Sequence, residues 1–474
     1  MTQVAPVAPV RMRKVRHLHF VGIGGAGMNG IAEVLHNLGF VVSGTDQVRS
    51  PVIERLEGLG IKVFDQHRAE NLEQVDVVVI SSAIAEDNPE LQAAYDRRLP
   101  VVRRAEMLAE IMRFRIGLAV AGTHGKTTTT SMLAAILDQA GLDPTYVIGG
   151  KLLANANNAR LGSGEYLIAE ADESDASFLH LQPHVAVITN IDADHLETYD
   201  HDVNKLTDHF VEFLHNLPFY GLAVLSADDA NSMDIIDRVG RQVLTFGIDQ
   251  PADVQASSLR ADGFSTRFTV RLAQGERADI HLPMPGRHNV QNALAAMTVA
   301  HDLGVSLPTM AEALSQFGGV GRRLERHGEI DTGQAKRLLV DDYGHHPTEV
   351  AATLEAVREA WPGQPVLVIF QPHRYSRTRD LFEDFVEVLS RADQLLLLEV
   401  YSAGQSPIPG ADGRALARAI RLRGQVDPVF VESPERVPAV LADVMRGPGI
   451  VLTLGAGNVG QLPGALMAQF GGGQ

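Results

Sequence analysis

The segment Gly122-Thr123-His124-Gly125-Lys126-Thr127 lies between an apolar run and a helix-like stretch. Residues 116–121 before it are small or apolar throughout, which predicts a buried parallel strand. Residues 128–140 after it place their apolar side chains on one face, which predicts an amphipathic helix that ends at Gly141. A strand, a glycine loop and a helix in this order are typical of a phosphate-binding loop.

The chemistry of this phosphate loop follows from its residue types. Glycines let the backbone wrap around an anion, and the start of the helix offers free N–H groups to it. Lys126, which we expect to be exposed in the loop, adds a positive charge, and the Thr127 hydroxyl is suited to bind Mg²⁺. Val120 replaces the first glycine of the usual pattern, so the loop is a shortened variant that turns at Gly122. We interpret it as an ATP site; the alternative is a tight turn with a solvated lysine.

The composition of the chain excludes several classes of protein. At 474 residues it is long enough for about three domains. No apolar run approaches the ~18 residues of a membrane span, and residues 1–10 lack the apolar core of a signal peptide, so we expect a frayed tail and no export. The absence of cysteine excludes disulfides and thiol chemistry and fits a cytoplasmic protein. The net charge of −17 argues against a nucleic-acid partner.

The N-terminal segment predicts a Rossmann-like domain. Residues 17–21 form a short predicted strand that leads into a G-x-G-x-x-G loop, and a helix pattern follows over 29–38. A second predicted strand over 40–44 leads to Asp46, the place where a dinucleotide fold has a carboxylate for the ribose. The loop consists of Gly22, Ile23, Gly24, Gly25, Ala26 and Gly27. We expect it to bind a nucleotide pyrophosphate, although the motif does not say which one.

Two further loops follow predicted strands. Ser81-Ser82-Ala83-Ile84 comes after an apolar run at 75–80, and small polar loops at the carboxyl ends of parallel strands commonly bind ligands. The residues from Gly455 to Gly460 repeat the G-x-G-x-x-G spacing after a predicted strand at 450–454. For this second occurrence a structural turn and a binding site are equally supported.

The middle of the chain carries acids and histidines at the ends of predicted strands. The run from Glu170 to Asp175 follows a strand at 166–169, where a phosphate-loop domain usually has a Mg²⁺ ligand. Asp194 and His195 follow a strand at 185–189 and suit a metal or phosphate site. A solvated acidic turn and a structural histidine are the alternatives.

The C-terminal segment predicts a second doubly wound domain, because strands and helices alternate again after a glycine-rich hinge at 317–321. Polar clusters at 341–347 and 371–377 follow two of these predicted strands. Histidine and arginine gathered at strand ends in an acidic protein indicate anion recognition.

Taken together, these motifs resemble the Mur ligases of peptidoglycan synthesis, over essentially the whole chain and in the family's order. The resemblance rests on Gly122 to Thr128, Glu170 to Asp175, Asn190, Asp194, His195, His288, Asn289, Asn292, Arg322, Arg323 and the clusters at 341–347 and 371–377. It implies an α/β protein of three domains: a Rossmann-like domain for a UDP-sugar (1–111), a central P-loop ATPase domain (112–321), and a C-terminal doubly wound, Rossmann-like domain that closes over ATP and the amino acid (322–474).

The resemblance also implies an activity and its ligands. The implied reaction joins L-alanine to the lactyl carboxylate of UDP-N-acetylmuramate through an acyl phosphate, with ATP and Mg²⁺ as cofactors. We expect no nucleic-acid or membrane partner, and either a monomer or a homodimer. Because the implied site spans three domains, we expect a closure motion about the segments near 112 and 321.

Residue roles follow from the same resemblance. Lys126, His195, His345, Arg374 and Arg377 are the implied catalytic residues, and Thr127, Glu170 and His195 the implied metal ligands. The implied ATP-binding residues are Gly122, Thr123, His124, Gly125, Lys126, Thr127, Thr128, Asn292 and Arg323. The implied substrate-binding residues are Gly22, Gly24, Gly25, Ala26, Gly27, Asp46, Ser81, Ser82, Ala83, Ile84, Tyr343, His345, His373, Arg374 and Arg377.

Three alternatives remain open. A ligase that attaches a recycled tripeptide to the same sugar nucleotide shares these motifs. An NAD-dependent oxidoreductase would use the first glycine loop and Asp46 but leaves the phosphate loop without a task. A non-catalytic nucleotide switch leaves the histidine and arginine clusters of the last segment unexplained.

Overall fold

The computed structural model describes residues 12–25, 27–81, 83–149 and 158–471. Two predicted ligand residues, Ala26 and Ser82, lie outside these ranges, as does the predicted tail at 1–10. Within the described ranges the strands form three sheets. The chain divides into two compact units: a first unit of residues 1–257, 269–280 and 291–317, and a second unit of residues 258–268, 281–290 and 318–474.

The first sheet belongs to the first unit and has the strand order β3-β2-β1-β4-β5, in which neighbouring strands are parallel. Its strands are β1 (His17–Val21), β2 (Val41–Thr45), β3 (Lys62–Phe64), β4 (Val77–Ile80) and β5 (Val101–Arg103). The helices are α1 (Met28–Asn37), α2 (Pro51–Gly58), α3 (Pro89–Asp96) and α4 (Arg104–Met112). Strands that alternate with helices in a parallel sheet confirm the Rossmann-like prediction.

The second sheet has the order β15-β14-β13-β12-β11-β10-β6-β9-β7-β8 within the described residues. Its strands are β6 (Ile116–Ala121), β7 (Thr145–Val147), β8 (Ala159–Arg160), β9 (Tyr166–Glu170), β10 (Val185–Ile188), β11 (Leu222–Ser226), β12 (Gln242–Gly247), β13 (Val254–Asp262), β14 (Ser265–Arg271) and β15 (Arg277–Leu282). The helices are α5 (Lys126–Gln139), α6 (Val203–His215), α7 (Ala230–Asp234), α8 (Arg287–Asp302) and α9 (Leu307–Ser315). Strand β6 lies between β9 and β10 and is parallel to both, so the loops after these three strands share one edge of the sheet.

The third sheet lies in the second unit, with the order β16-β17-β21-β18-β19-β20. Its strands are β16 (Glu325–Asp331), β17 (Lys336–Asp342), β18 (Val366–Phe370), β19 (Gln394–Leu398), β20 (Val429–Val431) and β21 (Gly449–Leu454). The helices are α10 (Pro347–Ala360), α11 (Tyr375–Asp380), α12 (Phe382–Leu389), α13 (Gly413–Arg423), α14 (Val437–Val444) and α15 (Leu462–Phe470). Strand β16 is antiparallel to β17, whereas the other pairs are parallel. The polar edge strand β16 was not predicted.

The first two sheets share one hydrophobic cluster. Buried Met107 and Ile111 of α4 belong to the same cluster as Phe178 and Phe210, which follow in the next part of the chain. This shared core explains why the first sheet and most of the second fall into one compact unit, because apolar packing holds them together. The parts of β13, β14 and β15 within 258–268 and 281–290 belong to the second unit. The predicted domain limits remain a prediction.

Candidate active site

The phosphate loop turns at two glycines in the left-handed region of the backbone. Gly122 has φ of 115° and Gly125 has φ of 83°. A Cβ atom at Gly122 would overlap the Thr189 hydroxyl, and one at Gly125 would overlap the Asn292 side-chain amide. Both positions therefore need glycine for conformation and for space. Helix α5 begins at Lys126, two residues earlier than predicted, without a side-chain N-cap or an acid in its first turn. Its N-terminus thus retains the features that attract an anion.

Lys126 is mostly buried, so the expectation of an exposed lysine is wrong. Only 17% of its side chain is exposed, and its Nζ lies 2.7 Å from Glu173 Oε2. The same nitrogen donates to the carbonyl oxygens of Gly122, at 2.7 Å, and Thr123, at 3.1 Å. Burial favours the neutral amine, but the carboxylates of Glu173 and its neighbours outweigh that effect and raise the pKa of Lys126. The lysine is therefore charged when it meets an anion.

Glu173 is the buried partner of this lysine. Its side chain is 2% exposed. Burial raises the pKa of Glu173 to about 7, with Lys126 opposing the shift and the nearby Asp172 adding to it. The sequence predicted an acidic run here, but it did not predict that one member would hold the lysine of the phosphate loop.

Two of the three predicted metal ligands lie in direct contact. Thr127 Oγ1 donates a hydrogen bond of 3.3 Å to Glu170 Oε2, while Glu170 Oε1 accepts one of 2.8 Å from the Gly149 N–H. His195 follows β10 on the other side of β6, and its side chain is 19% exposed. A hydroxyl and a carboxylate oxygen side by side fit Mg²⁺, which prefers oxygen ligands, whereas an imidazole is a less usual ligand for it.

The remaining predicted ATP residues of the first unit surround the same loop. The His124 N–H donates to Asn190 Oδ1 at 2.9 Å, and His124 Nε2 lies 2.9 Å from Asp192 Oδ2. Asn292 reaches the loop from α8, where its Oδ1 accepts a hydrogen bond of 3.3 Å from Thr129. Thr123 and Thr128 are buried in the loop and in the first turn of α5, respectively. Arg323, which we predicted to act with Asn292, lies in the second unit.

The first glycine loop is held by Asp46, the residue that we predicted from motif spacing. The Gly24 N–H donates to Asp46 Oδ2 at 2.9 Å, and the Gly22 N–H donates to the Thr45 carbonyl at 2.8 Å. Gly27 adopts φ of 77° and precedes α1, which also has no side-chain N-cap. The loop therefore combines an uncapped helix N-terminus with a carboxylate, as a nucleotide diphosphate and its ribose require.

The described part of the loop at 81–84 borders this glycine loop. A Cβ atom on Gly22 would lie 3.3 Å from Ile84 Cδ1, and the Ile84 N–H donates to the Ser81 carbonyl at 3.2 Å. Ala83 between them is exposed. The two loops, both implied to bind substrate, are thus neighbours, because β1 and β4 are adjacent strands.

Arg104 is a residue of this region that sequence analysis missed. A Cβ atom on Gly27 would lie 3.0 Å from Arg104 Nη1. The other terminal nitrogen, Nη2, lies 3.4 Å from Asp172 Oδ2. Arg104 therefore connects the first glycine loop with the acidic run after β9. The only signal in the sequence is a pair of arginines, Arg103 and Arg104, directly after an apolar dipeptide in an acidic chain.

The second unit collects the predicted aromatic and histidine residues at the ends of β17 and β18. The ring centroids of Tyr343 and His345 are 5.4 Å apart, and those of His345 and His373 are 5.8 Å apart. Tyr401, which was not predicted, stacks on His373 at 5.5 Å with an interplanar angle of 11°. The Arg323 guanidinium lies 5.1 Å from the Tyr343 ring centre. These rings and the guanidinium form one continuous series of contacts.

The two predicted arginines at the start of α11, Arg374 just before the helix and Arg377 within it, belong to the same cluster. Arg377 is 7% exposed, and its Nη1 donates to the His373 carbonyl at 3.3 Å. Arg374 has φ of 71°, a region that costs a non-glycine residue energy and that occurs preferentially at functional sites. The buried Nε of Arg374 has no hydrogen-bond partner among the described residues. A carboxylate ligand would supply one.

The buried carboxylate of Asp342 holds the backbone at the start of this cluster. Burial raises the pKa of Asp342 to about 6, and the nearby Arg323 opposes the shift. Its carboxylate accepts hydrogen bonds of 2.8 Å from the N–H groups of Leu324 and Gly344. This carboxylate fixes the backbone at Gly344, next to Tyr343, and at Leu324, next to Arg323. The sequence placed it in the polar cluster at 341–347 but gave it no role of its own.

The glycines of the loop from Gly455 to Gly460 are explained by packing. A Cβ atom on Gly457 would overlap Gln371 Oε1, and one on Gly460 would overlap the Arg322 guanidinium. The Gln371 amide also accepts a hydrogen bond of 3.0 Å from the Val459 N–H. The geometry thus favours the structural turn over the binding site for this second motif.

A phosphate loop with a charged lysine, a hydroxyl–carboxylate pair beside it, and a cluster of arginine and histidine define the class: a nucleotide-dependent phosphate-loop enzyme. Three family profiles match the chain: "Mur ligase family, catalytic domain" at 17–115, "Mur ligase middle domain" at 120–300, and "Mur ligase, glutamate ligase domain" at 322–457. The chain belongs to the Mur ligase family, the ATP-dependent ligases of peptidoglycan synthesis. No helix in the described part of the chain is both long and apolar enough to cross a membrane.

Several solved structures are similar to this chain. A UDP-N-acetylmuramate-alanine ligase from Thermotoga maritima is 29% identical with a TM-score of 0.81, and the match covers 96% of this chain and 98% of that one. A murein peptide ligase from Psychrobacter arcticus is 25% identical with a TM-score of 0.71, covering 97% and 99%. The UDP-N-acetylmuramate:L-alanyl-gamma-D-glutamyl-meso-diaminopimelate ligase from Neisseria meningitidis is 33% identical with a TM-score of 0.59, covering 65% and 100%.

Proposed function

We propose that this Mur ligase uses ATP to join L-alanine to the lactyl carboxylate of UDP-N-acetylmuramate. In the proposed reaction a carboxylate oxygen attacks the γ-phosphorus of ATP, which releases ADP and leaves an acyl phosphate. The amine of L-alanine then attacks the acyl carbon, phosphate departs, and the amine loses a proton. The first step brings two anions together, so it needs cations and excluded water.

The observation that carries the proposal for the reaction class is Lys126 in its loop. A charged lysine lies at an uncapped helix N-terminus, beside the contact between Thr127 and Glu170. This arrangement supports phosphoryl transfer from a nucleoside triphosphate, and an oxidoreductase has no use for it. A solved ligase of the same fold from Thermotoga maritima, 18% identical, is a complex with ADP.

Each part of the chain has a proposed task. Lys126 neutralises charge on the β- and γ-phosphates, and Asn292 contacts the nucleotide beside the loop. Thr127, Glu170 and His195 would hold Mg²⁺, which supplies charge neutralisation on the transferred phosphoryl group when it is bound. The first glycine loop with Asp46 binds the UDP of the sugar nucleotide. Arg374 and Arg377, with His345 and His373, bind the amino acid and the reacting groups.

The choice of L-alanine rests on whole-chain similarity. The alanine ligase matches with a TM-score of 0.81 over 96% of this chain, against 0.71 over 97% for the murein peptide ligase. The higher identity of 33% to the Neisseria tripeptide ligase extends over only 65% of this chain. That identity favours a second candidate function, the attachment of a recycled tripeptide to the same sugar nucleotide.

Phosphate release from ATP tests the proposal and separates the two candidates. With Mg²⁺ and UDP-N-acetylmuramate present, we expect release with L-alanine and little release with other amino acids or with L-alanyl-γ-D-glutamyl-meso-diaminopimelate. Release that needs the tripeptide would establish the second candidate instead. Release that requires neither sugar nucleotide nor amine would contradict both.

Helix α11 offers a matched pair of variants for the amino-acid site. Arg377 is 7% exposed beside His373, whereas the side chain of Arg379 is 50% exposed and pairs with its neighbour Asp380. We expect Arg377→Gln to raise the KM for L-alanine by at least about tenfold, because a charge-assisted hydrogen bond is lost. Arg379→Gln should leave the KM unchanged. Equal KM values for both variants would remove Arg377 from the amino-acid site.

A further inference from the structure

A second group of metal-type side chains lies in the second unit, on the hairpin of β16 and β17. Glu325 and His327 belong to β16 and Asp341 to β17. Each offers one ligand atom, and these atoms all lie within 4.8 Å of one another. None of the three is among the residues to which the proposed reaction gives a role.

The hairpin register brings the histidine to the two acids. Glu325 lies opposite Asp341 and Arg326 opposite Val340, but Gly328 then lies opposite Leu339. His327 is therefore the extra residue of a β-bulge and has no partner residue on β17. Bulges redirect side chains locally, so Glu325 and His327 need not follow the strict alternation of an ordinary strand.

The imidazole of His327 has a nitrogen without a protein partner. His327 Nε2 is shielded from solvent and forms no hydrogen bond among the described residues. It lies 3.9 Å from Glu325 Oε2, which is too long for a hydrogen bond. A shielded ring nitrogen without a partner is unfavourable, and a cation placed between it and the carboxylates would remove that cost.

Arg322 already interacts with both carboxylates, but it forms no hydrogen bond to His327 Nε2. Its Nε donates to Asp341 Oδ2 at 2.9 Å, and its backbone N–H donates to Glu325 Oε2 at 2.8 Å. The carboxylates of Glu325 and Asp341 carry two negative charges and the Arg322 guanidinium one positive charge. The group therefore keeps one net negative charge when His327 is neutral. Each carboxylate oxygen also has a second lone pair for a metal ion.

The exposure of the three side chains allows an ion to enter. Asp341 is 1% exposed, whereas 22% of the Glu325 side chain and 24% of the His327 side chain are exposed. Two carboxylate oxygens and one imidazole nitrogen suit Zn²⁺, Co²⁺ or Ni²⁺ better than Mg²⁺ or Ca²⁺. Metal–ligand bonds of about 2.0–2.2 Å require ligand atoms no more than roughly 4.2 Å apart. The His327 and Glu325 atoms already meet this limit at 3.9 Å, and the whole set lies within 4.8 Å, so small side-chain adjustments are enough to bind an ion.

We propose that Glu325, His327 and Asp341 form a binding site for a divalent transition-metal ion that fastens β16 to β17. The site leaves positions on the ion for water, because three protein ligands do not complete a tetrahedral or octahedral shell. It is separate from the predicted Mg²⁺ ligands, which all lie in the first unit. Its loss would not by itself contradict the proposed ligase activity.

Co²⁺ titration of the full-length, chelator-treated protein without nucleotide tests this site. The visible absorption of bound Co²⁺ reports an imidazole- and carboxylate-ligated ion directly, and equilibrium dialysis gives the stoichiometry. We expect the wild type to bind one more Co²⁺ than His327→Gln. Other histidine–carboxylate pairs, such as His124 with Asp192, remain the same in both proteins.

His301→Gln is the matched control, because His301 is a half-buried histidine that bonds to Gln274 Oε1 at 2.6 Å. It should bind as much Co²⁺ as the wild type. If His327→Gln does not fold, Glu325→Gln tests the same site with a partly exposed residue, and we expect its affinity for that ion to fall at least about tenfold. Identical titrations of the wild type and a folded His327 or Glu325 variant would overturn the proposal.

Discussion

The two predicted anion-binding loops of the first unit have the same backbone design but rest on buried glutamates of opposite character. Each loop ends at a left-handed glycine, Gly27 or Gly125, that precedes a helix without a side-chain cap. Beneath the first loop, burial acts to raise the pKa of Glu90, but hydrogen bonds from four side chains together outweigh it and lower that pKa to about 2. Beside the phosphate loop, burial raises the pKa of Glu173 to about 7.

The difference between these two pKa values follows from the groups that each carboxylate contacts. Glu90 is fully buried and binds the hydroxyl of Thr45, whose carbonyl in turn accepts the N–H groups of Gly22 and Ile23. Through these contacts Glu90 supports the backbone at the start of the first glycine loop. Glu173 is paired with Lys126, but burial and the charge of the nearby Asp172 outweigh that pairing, so the pKa of Glu173 lies above its ordinary value. A buried glutamate thus supports the backbone of one loop and binds the lysine of the other.

The largest effect on turnover is expected when the pair of Lys126 and Glu173 is removed by a substitution of Lys126. Lys126→Ala leaves the triphosphate with backbone donors only, so we predict that turnover falls by about 10³ or more. Steady-state phosphate release measures it. Because Lys126 is buried against Glu173, the variant also needs a thermal unfolding curve to show that the protein folds.

Lys205→Ala is the control for this variant. Lys205 is an exposed lysine of α6 that pairs with Asp200 at 2.6 Å. Its loss should leave turnover within about twofold, because exposed ion pairs contribute little. Near-normal turnover of folded Lys126→Ala would remove the phosphate loop from the mechanism.

The next effect concerns the predicted metal ligands on either side of the loop. We predict that Glu170→Ala or His195→Ala lowers turnover on the order of 10² and raises the Mg²⁺ concentration for half-maximal rate, with a smaller change in ATP affinity. Mg²⁺ titrations of the rate, with ATP binding measured separately, test this. An unchanged Mg²⁺ profile in either variant would exclude that residue as a ligand.

A smaller effect, on the free energy of unfolding, is expected from Glu90 beneath the first glycine loop. The pKa of Glu90 lies below its ordinary value of 4.5, so its stabilising contribution is complete above pH 4.5 and is lost as the pH falls toward 2. At about pH 3 this loss amounts to roughly 2 kcal/mol of the free energy of unfolding. Denaturant unfolding at pH 6 and pH 3 measures it.

Glu90→Gln provides the comparison for this pH effect. The amide cannot titrate, so the variant should be less stable than the wild type near neutral pH and should lose less stability on acidification. If both proteins lose the same free energy of unfolding between the two pH values, the hydrogen bonds to Glu90 do not favour its charged form.

Sequence patterns predicted the sheet neighbourhoods well because they depend on local periodicity. Strand β6 lies between β9 and β10, and Asp46 reaches the first glycine loop, as the motif spacing indicates. The contacts that set charge were not predicted. Lys126 was expected to be exposed because nothing local in its loop announces Glu173, 47 residues away. Glu90 resembles an ordinary acid in the first turn of a helix, and its partners come from three other segments.

The smallest expected effect separates the two ligands that the first glycine loop could accept. NAD and UDP-N-acetylmuramate both offer a pyrophosphate and a ribose, and the spacing of Gly22 to Gly27 and Asp46 suits either. A ligase needs this loop for its sugar nucleotide, whereas hydride transfer gives the phosphate loop no task. We therefore predict that UDP-N-acetylmuramate, and UDP more weakly, raise the melting temperature by a few degrees, while NAD and NADP do not.

Arg104 sharpens this last prediction, because its guanidinium lies beside Gly27 and pairs with Asp172. Its guanidinium is the charged group beside the first loop, so Arg104→Gln should reduce the thermal shift caused by UDP. Arg97 is an exposed arginine just after α3, and Arg97→Gln should leave that shift unchanged. A reduced shift in both variants would indicate general electrostatic attraction and no defined contact. Stabilisation by NAD without a response to UDP would contradict the assignment of this loop, and the ligase reaction proposed here would then lack its sugar-nucleotide site.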